Sequence, residues 1–323
     1  MFKALKPTLA ASIIAATFSF NTFAADVEKI HFLIPGGAGG GWDMTARGTG
    51  DVLVKSDIVE NVSFQNLSGG GGGKAIAHLI ETAQRQEDTL MVNSTPIVVR
   101  SLTGIFPQSF RDLTPVAATI ADYGAIVASA DSKYNTWEDV VKEFETNPRK
   151  VKIAGGSARG SMDHLVVAAA FKGEGFDAKK VRYIAYDAGG KAMAGLLSGE
   201  IKALSTGFGE AIELARQGEV RILCVTSKER LPAATDTPTC DEAGATGAEF
   251  VNWRGFFAAP GISDEDAAAY GKALEAMYDT DDWAAVRDRN GWVDIFNKGD
   301  DFVTFLEAQE TQIGDLMREL GFL

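Results

Sequence analysis

Short apolar runs rich in β-branched residues alternate with amphipathic stretches over most of the chain. Between residues 29 and 226 the short runs predict strands, and several stretches between them carry apolar residues at helical spacing. The strand-like runs read HFLI, VSFQN, TLMVN, TPVAATI, AIVAS, VKIAG, VRYIA, IKALST and RILCVTS. Alternation of this kind predicts an α/β fold with largely parallel sheets.

Helical spacing is clearest in five segments, at residues 136–146, 161–171, 191–197, 210–217 and 300–320. The last segment is amphipathic and carries its apolar residues near one face. Those residues are Phe302, Phe305, Leu306, Ile313, Leu316, Met317 and Leu320. We expect this C-terminal helix to pack back against the first part of the chain.

Two extended segments leave no room for a helix and predict where the chain passes between two lobes. Residues 115–129 hold two strand-like runs separated by residues 121–124 only. Residues 249–259 form a second extended segment, which we interpret as the return crossing. We expect the ligand cleft to lie between the lobes. The expected lobes are residues 25–124 with 251–323, and residues 125–250.

Two glycine-rich loops, each between an apolar strand and a helix, are the main candidates for ligand binding. They lie in IHFLIPGGAGGGWDMTAR and in VKIAGGSARGSMDHLVVAAAF. Such a loop leaves backbone N–H groups free at a helix N-terminus, where the helix dipole is positive, so each is predicted to bind an anion. The candidate residues are Gly36, Gly37, Ala38, Gly39, Gly40, Gly41, Trp42 and Asp43 in the first loop, and Ser157, Ala158, Arg159, Gly160 and Ser161 in the second.

Some of these positions also have a purely structural interpretation. Asp43 is best explained as a helix cap, with acceptance of a ligand hydroxyl as the alternative. Arg159 is either a solvated loop charge or a partner of a ligand carboxylate, directly or through water. Trp42 is either a ligand wall or part of the core. Residues 68–73 are another glycine-rich run, either a flexible turn or a third anion loop.

Polar residues also follow two other predicted strands. Ser94 and Thr95 come directly after TLMVN, and Thr206 stands at the end of IKALST. Ligands of open α/β sheets bind at the carboxyl ends of the strands. Ser94, Thr95 and Thr206 are therefore added to the candidate site.

The glycine-rich loops do not match the common nucleotide-binding motifs. A Walker A motif fails at Ser68 and at Ala75. The dinucleotide motif fails because Trp42 or Met44 stands where its last glycine is required. No nucleotide or other cofactor is predicted.

An exported serine hydrolase is the alternative function, with Ser157 or Ser161 as nucleophile and His164 as base. The sequence around Ser157 resembles a nucleophile elbow except at its last position, where Arg159 replaces glycine. His164 follows Ser161 by three residues on one predicted helix, and no third member of a triad is evident. A histidine that packs or hydrogen-bonds locally explains the pattern better, so no catalysis is predicted.

The first 24 residues predict export. Lys3 and Lys6 precede an apolar run from about Leu9 to Phe20, and small residues follow. This order of charge, apolar run and small residues is typical of a secretory signal peptide, and the run is too short for a membrane span. We expect cleavage after about Ala24.

Composition narrows the range of partners. The formal net charge is −13, which argues against nucleic acid because that partner requires clustered Lys and Arg.

In an oxidising compartment Cys224 and Cys240 either form a disulfide or stay separately buried thiols. The three histidines lie away from both cysteines in sequence, so no metal site is predicted. We expect a monomer, since a closing cleft and a high net charge do not require a second copy.

Seven sequence segments together resemble the receptors of tripartite tricarboxylate transporters, also called Bug receptors. The likeness covers nearly all of the mature chain and depends on the order and spacing of the segments. They are Pro35 to Asp43, Asn66 to Gly73, Gly155 to His164, Tyr186 to Gly190, Leu223 to Arg230 with Pro238 and Thr239, Glu242 to Gly244, and Trp253 to Pro260.

The resemblance implies a two-lobed type II periplasmic binding protein whose lobes close on a ligand about a strand hinge. It also implies that the loops at residues 35–43 and 155–161 recognise a carboxylate through backbone amides and bridging waters. The expected ligand is a small di- or tricarboxylate such as citrate. The expected partners are the membrane permease subunits of the transporter, and the expected location is the periplasm.

Overall fold

The computed structural model describes residues 27–323, so the expected signal peptide lies outside the described residues. The described strands are β1 (Lys29–Ile34), β2 (Asn61–Asn66), β3 (Thr89–Ser94), β4 (Thr114–Ser129), β5 (Lys152–Gly155), β6 (Arg182–Ala185), β7 (Ala203–Gly207), β8 (Val220–Val225), β9 (Val251–Ala258) and β10 (Val293–Lys298). The described α-helices are α1 (Gly41–Lys55), α2 (Gly73–Glu81), α3 (Thr95–Thr103), α4 (Trp137–Thr146), α5 (Met162–Gly173), α6 (Gly189–Leu197), α7 (Phe208–Arg216), α8 (Asp264–Tyr278), α9 (Asp281–Asn290) and α10 (Asp300–Leu320).

The strands join in one continuous sheet that divides into two parts along β4. In the first part, β1 pairs in parallel with β2 and β3. Strand β9 runs antiparallel between β3 and β4, and β10 is also antiparallel to β4. We call β1, β2, β3, β9, β10 and residues 114–123 of β4 the first sheet.

The second part contains β5 to β8 and residues 124–129 of β4, and we call it the second sheet. Here β5 pairs in parallel with β6 and β7, whereas β4 is antiparallel to β7 and β8. The expectation of largely parallel sheets is therefore wrong for every strand that pairs with β4. Strand β4 crosses between the sheets, and β9 pairs with it on the side of the first sheet. Neither strand belongs to a β–α–β unit, so their neighbours run in the opposite direction.

Strand β4 passes from one sheet to the other without a break. The sequence suggested two runs separated by residues 121–124, but Tyr123 pairs with Val251 of β9 and Gly124 pairs with Gly207 of β7. Because backbone partners are available on both sides of this junction, the chain stays extended through residues that would otherwise favour a turn. The expected return segment, residues 249–259, contains β9, which pairs within the first sheet and is buried over nearly its whole length.

Helix α10 has the bounds that its apolar periodicity predicts, and it buries Phe302, Leu306, Ile313 and Met317. It packs against α3 and β10 beside the first sheet, as expected, but also against α5 beside the second. One large apolar cluster consequently includes residues from both parts of the molecule.

Cys224, near the end of β8, and Cys240 are joined as a disulfide. Both side chains are buried, and the bond closes the loop that follows β8. None of the helices between residues 27 and 323 combines the length and the apolar character that a membrane-spanning helix needs.

Candidate functional site

A cavity of about 240 Å³ lies among loops that follow strands of both sheets. The first sheet contributes the loop after β1, the end of β3 and two side chains of β9. The second contributes the loops after β5 and β6, and Glu210 in the first turn of α7. The cavity therefore lies at the carboxyl ends of parallel strands, the edge at which α/β sheets bind ligands.

Four helices begin at this cavity, and in each the side chain of the capping residue leaves the first turn uncapped. The residues that precede the first turns of α1, α3, α5 and α6 are Gly40, Ser94, Ser161 and Ala188. All four line the cavity, and none of them accepts a capping hydrogen bond through its side chain. The first N–H groups of a helix have no partner within the helix, and the dipole makes this end positive, so the cavity suits an anion.

Nine of the sixteen residues predicted from the sequence line this cavity, and seven do not. Those that line it are Gly36, Gly37, Gly40, Gly41, Trp42, Ser94, Ser157, Ala158 and Ser161. Those that do not are Ala38, Gly39, Asp43, Thr95, Arg159, Gly160 and Thr206. Arg159 and Gly160 line a separate cavity, which lies beside Arg100 and Phe106.

Asp43 and Thr206 make hydrogen bonds within the protein. One oxygen of the buried Asp43 carboxylate accepts the Gly39 N–H at 3.0 Å, and the other accepts from Arg47 and Asn66. Thr206 donates its hydroxyl to Glu210 at 2.5 Å. Asp43 therefore holds the first glycine-rich loop against α1, and Thr206 positions a carboxylate that lines the cavity.

Trp42 fits both of its interpretations. Its ring lines the cavity and also packs on the apolar cluster under the first sheet. The indole N–H donates to Ser94 Oγ at 2.9 Å, which fixes the ring between the starts of α1 and α3.

The second glycine-rich loop is held by Asp163. The Ser157 N–H donates to Asp163 Oδ2, and the Asp163 N–H donates to Ser157 Oγ, each at 2.9 Å. Tyr183 donates its hydroxyl to the Ser157 carbonyl at 2.7 Å. Burial raises the pKa of Asp163 to about 7, and nearby Glu210 adds to the rise.

His164 does not pair with either serine in the part of the chain that the structure describes. Its Nδ1 accepts the Gly160 N–H at 2.9 Å, and its ring stacks on Tyr183. Burial, with a smaller contribution from the Arg159 charge, lowers the pKa of His164 to about 4. Ser157 Oγ accepts the Asp163 N–H, while Ser161 Oγ is buried with no hydrogen-bond partner among the described residues. Neither of the two predicted pairs, Ser157 with His164 or Ser161 with His164, is thus formed in residues 27–323.

Several polar residues of the cavity escaped the sequence analysis, notably Asn252 and Arg254 on β9, Asp187 and Glu210. Arg254 is 4% exposed, and its Nη2 lies 3.8 Å from Oδ2 of the buried Asp122. Burial raises the pKa of Asp122 to about 7, although the positive charge of Arg254 opposes the rise. A signal was present, because two polar residues alternate with apolar ones in a segment that otherwise predicts a buried strand.

The two sides of the cavity touch at its rim. Ser68, in the loop after β2, hydrogen-bonds to Asp187 in the loop after β6, with Oγ and Oδ1 2.5 Å apart. Asp187 also forms an ion pair with Lys191 at 3.1 Å. The pKa of Asp187 is lowered by the hydrogen bond from Ser68 and then by Lys191. The loops on the two sides of the cavity are therefore in contact at this point of the rim.

Between residues 27 and 323, no three His, Cys, Asp or Glu side chains are grouped in a way that could hold a metal ion. The charged residues that line the cavity are one arginine and three acids, Asp163, Asp187 and Glu210. Each acid has a hydrogen-bond partner inside the protein. The arginine, Arg254, has no hydrogen-bond partner among the described residues.

Known proteins resemble this chain in sequence and in fold. A UPF0065 protein of Bordetella pertussis is 24% identical over 323 residues, covering 97% of this chain and 95% of its own length. Two solved Rhodopseudomonas palustris proteins, each 20% identical with a TM-score of 0.79, have the same two-lobed fold. They are MatC (Rpa3494) with bound malate, matched over 90% of this chain and 99% of MatC, and Rpa4515 with adipate, matched over 92% and 98%.

The sequence profile described as "Tripartite tricarboxylate transporter family receptor" matches residues 46–322, which is most of the chain. The match starts within α1 and includes the second glycine-rich loop and strands β4 and β9. The expectation from the sequence segments is confirmed. This chain belongs to the tripartite tricarboxylate transporter receptor family.

Proposed function

We propose that this protein is an exported receptor that binds a small organic carboxylate in the cavity and delivers it to the permease of a tripartite tricarboxylate transporter. The ligand is a dicarboxylate or a tricarboxylate such as citrate. Residues 1–24 direct export to the periplasm and are removed there. The receptor acts as a monomer and carries out no chemical step.

The observation that carries this proposal is the group of four helix starts at one cavity. The side chains of Gly40, Ser94, Ser161 and Ala188 accept no hydrogen bond from the first turns that follow them, and in α5 one first-turn donor, the Asp163 N–H, is bound by Ser157 Oγ. An anion is the group that satisfies several such donors and interacts favourably with several positive dipole ends at once. A carboxylate brings two oxygens and a single charge, which suits a site built mainly from backbone donors.

Ligand capture occurs by closure between two lobes, residues 25–124 with 251–323 and residues 125–250. Strand β4 and residues 249–259, which include β9, provide the hinge. The hydrogen bond between Ser68 and Asp187 forms only when the loops on either side of the cavity meet, so it belongs to the closed state. MatC and Rpa4515, which share the fold, hold the dicarboxylates malate and adipate.

The test is a thermal-shift screen of residues 25–323 against mono-, di- and tricarboxylates at millimolar concentration. A ligand that binds only the folded protein stabilises it by about 2.7 kcal/mol at a hundredfold excess over Kd, so a true ligand raises the melting temperature. We expect a rise for one or a few acids. Primary amides of the same acids, and sodium chloride at matched ionic strength, serve as controls. A panel with no rise for any acid would contradict the proposal.

A further inference from the structure

Arg254 is the one charged residue of the cavity lining that lacks a hydrogen-bond partner among the described residues. It lies on strand β9 and is 4% exposed. Its Nε and Nη1 atoms are buried without a hydrogen-bond partner. Its Nη2 lies 3.8 Å from Asp122 Oδ2, which exceeds hydrogen-bond length.

Asp122 balances the charge of Arg254 without satisfying its donors. The other oxygen of this carboxylate, Oδ1, accepts the N–H of Gly209 at 3.1 Å in the first turn of α7. The acid is therefore held by that helix start as well as by the arginine. Burying N–H donors of a guanidinium without acceptors is costly, so an acceptor from outside the protein is expected at this position.

Two further buried polar atoms near Arg254 have no partner among the described residues. Asn252 precedes Arg254 by two residues on β9, so both side chains are on one face of the strand, and Asn252 Oδ1 is unpaired. Ser161 Oγ, from the loop before α5, is the other. All three residues line the cavity, so the unpaired groups belong to one site.

The guanidinium of Arg254 also lies against the start of α1. A Cβ atom on Gly41 would be only 2.1 Å from Arg254 Nη2, so the absence of a side chain at Gly41 makes this approach possible. The positive end of α1 adds to the positive charge at this place and so raises the cost of a guanidinium whose donors have no acceptor. The three acids of the lining, Asp163, Asp187 and Glu210, are already engaged elsewhere.

We propose that Arg254 is a specificity-determining residue that pairs with a second carboxylate of the ligand. This inference rests on the proposed function, in which the helix starts hold the first carboxylate. A ligand with two carboxylates satisfies both the backbone donors and the guanidinium. A monocarboxylate leaves either the backbone donors or the guanidinium without a ligand oxygen in the cavity.

The test compares diacids with their monoamides, which have nearly the same shape and one charge fewer. The probes are succinate and succinamate, glutarate and glutaramate, and adipate and adipamate, titrated calorimetrically at pH 7.5 and constant ionic strength. A charge-assisted hydrogen bond is worth about tenfold to hundredfold in affinity, so the wild-type protein should prefer at least one diacid by that factor. In Arg254→Met the ratio should fall to near unity while monoamide affinity changes little.

Two variants control for charge and for folding. Arg289→Met removes the same charge from the exposed face of α9, and it should keep the wild-type ratio. Arg254→Lys keeps the positive charge beside Asp122, and we expect it to retain part of the preference. If Arg254→Met does not fold, a crystal structure of the wild-type protein with the preferred diacid decides. A carboxylate within about 3.2 Å of the guanidinium supports the assignment, and its absence there overturns it.

The outcomes separate this inference from the proposed function. Equal affinity of the wild-type protein for diacids and monoamides would overturn the role of Arg254 and leave a carboxylate receptor. Equal losses for both ligands in Arg254→Met would show that the side chain only shapes the cavity, which also overturns the role. Failure of every acid to bind would contradict the receptor itself.

Discussion

Helices that begin at the cavity and helices that begin on the outer surface start in different ways. On the outside, Thr136, Ser263 and Thr280 accept hydrogen bonds from the first turns of α4, α8 and α9. At the cavity, the starts of α1, α3, α5 and α6 have no such bond from the capping residue. Two of those capping residues, Ser94 and Ser161, are serines, a residue type whose hydroxyl caps helices at other positions.

At Ser94 and Ser161 the missing cap is a matter of position, because serine caps a helix elsewhere in the molecule, whereas Gly40 and Ala188 have no side-chain acceptor. A side-chain cap contributes about 1 kcal/mol to stability, so a helix that begins without one is less stable than it could be. Where such starts gather around a cavity that also contains a guanidinium without a hydrogen-bond partner among the described residues, the free donors are best explained by a ligand. Helices α2 and α10 also lack a side-chain cap, and both follow a glycine.

The largest expected effect is that of Gly156→Ala, which disturbs the packing of two cavity loops. A Cβ atom at Gly156 would be 2.1 Å from the backbone N of Gly189, at the start of α6. Backbone cannot move aside as a flexible side chain can, so we expect a loss of about 3 kcal/mol in the free energy of unfolding. Urea unfolding of the ligand-free protein measures it.

Two glycine substitutions control for Gly156→Ala. At Gly40 in the same cavity a Cβ would make ordinary contacts of 3.5 Å, so Gly40→Ala should change stability far less. At Gly271, in the middle of α8, nothing lies within 4 Å, so Gly271→Ala should stabilise by about 0.5–1 kcal/mol. Equal effects at Gly156 and Gly40 would mean that the loops are not packed as closely as the structure shows.

The apolar pattern predicted most of the secondary structure, and it failed where pairing partners decide the outcome. The bounds of α10 follow directly from the amphipathic repeat. Residues 121–124 of β4 carry turn-forming types, yet β9 and β7 hold them in a strand. The prediction of strand direction failed for the same reason, because a strand that crosses between sheets is recognised only when its neighbours are known.

The candidate site was predictable as far as it consists of backbone. Glycine-rich sequence between a strand and a helix indicates free N–H groups, and nine of the predicted residues line the cavity. Arg254 could not be placed from sequence, since β9 follows the second loop by about ninety residues and reaches the cavity only through the topology of the sheets. Asp43 and Arg159 are near in sequence, but local hydrogen bonds direct them elsewhere.

We expect His164 to have an intermediate effect on stability. Its ring accepts the Gly160 N–H just before α5, whereas the outer helices have a hydroxyl acceptor near their starts. Its pKa in the folded protein, about 4, lies below its ordinary value of 6.5. The folded state therefore binds fewer protons, and stability present above pH 6.5 is lost as the pH falls towards 4. The loss is roughly 2 kcal/mol at pH 5. His164→Gln lacks this dependence.

The measurement is the difference in unfolding free energy between the wild-type protein and His164→Gln at pH 7.5 and pH 5. At pH 7.5 the variant should be less stable, by about 1 kcal/mol, because the Gly160 N–H has a poorer acceptor. The gap should close or reverse at pH 5. Asp122 and Asp163, with pKa values raised to about 7, contribute stability that grows as the pH falls, but equally in both proteins. A gap that does not change with pH would show that His164 is not buried as the neutral form.

The smallest effect concerns the caps themselves and tests the comparison most directly. Thr136 Oγ1 accepts the Asp139 N–H at 3.3 Å, and the Asp139 carboxylate accepts the Thr136 N–H. Thr136→Ala should cost about 1 kcal/mol of stability and leave ligand affinity unchanged. Ser161→Ala removes a hydroxyl that has no partner among the described residues, so it should change stability by only a few tenths of a kcal/mol but lower affinity several-fold.

Urea unfolding without ligand measures the stability of the two alanine variants, and calorimetric titration with the preferred acid measures their affinity. The expected contrast between the variants can fail in two ways. If Ser161→Ala costs as much stability as Thr136→Ala, Ser161 caps α5 in solution and the uncapped start is not a reserved donor site. If Ser161→Ala leaves both stability and affinity unchanged, the ligand is held by backbone N–H groups and Arg254 without the hydroxyl. Only a loss of affinity without a loss of stability assigns Ser161 to the ligand, because a cap acts on the free protein and a ligand contact acts only on the complex.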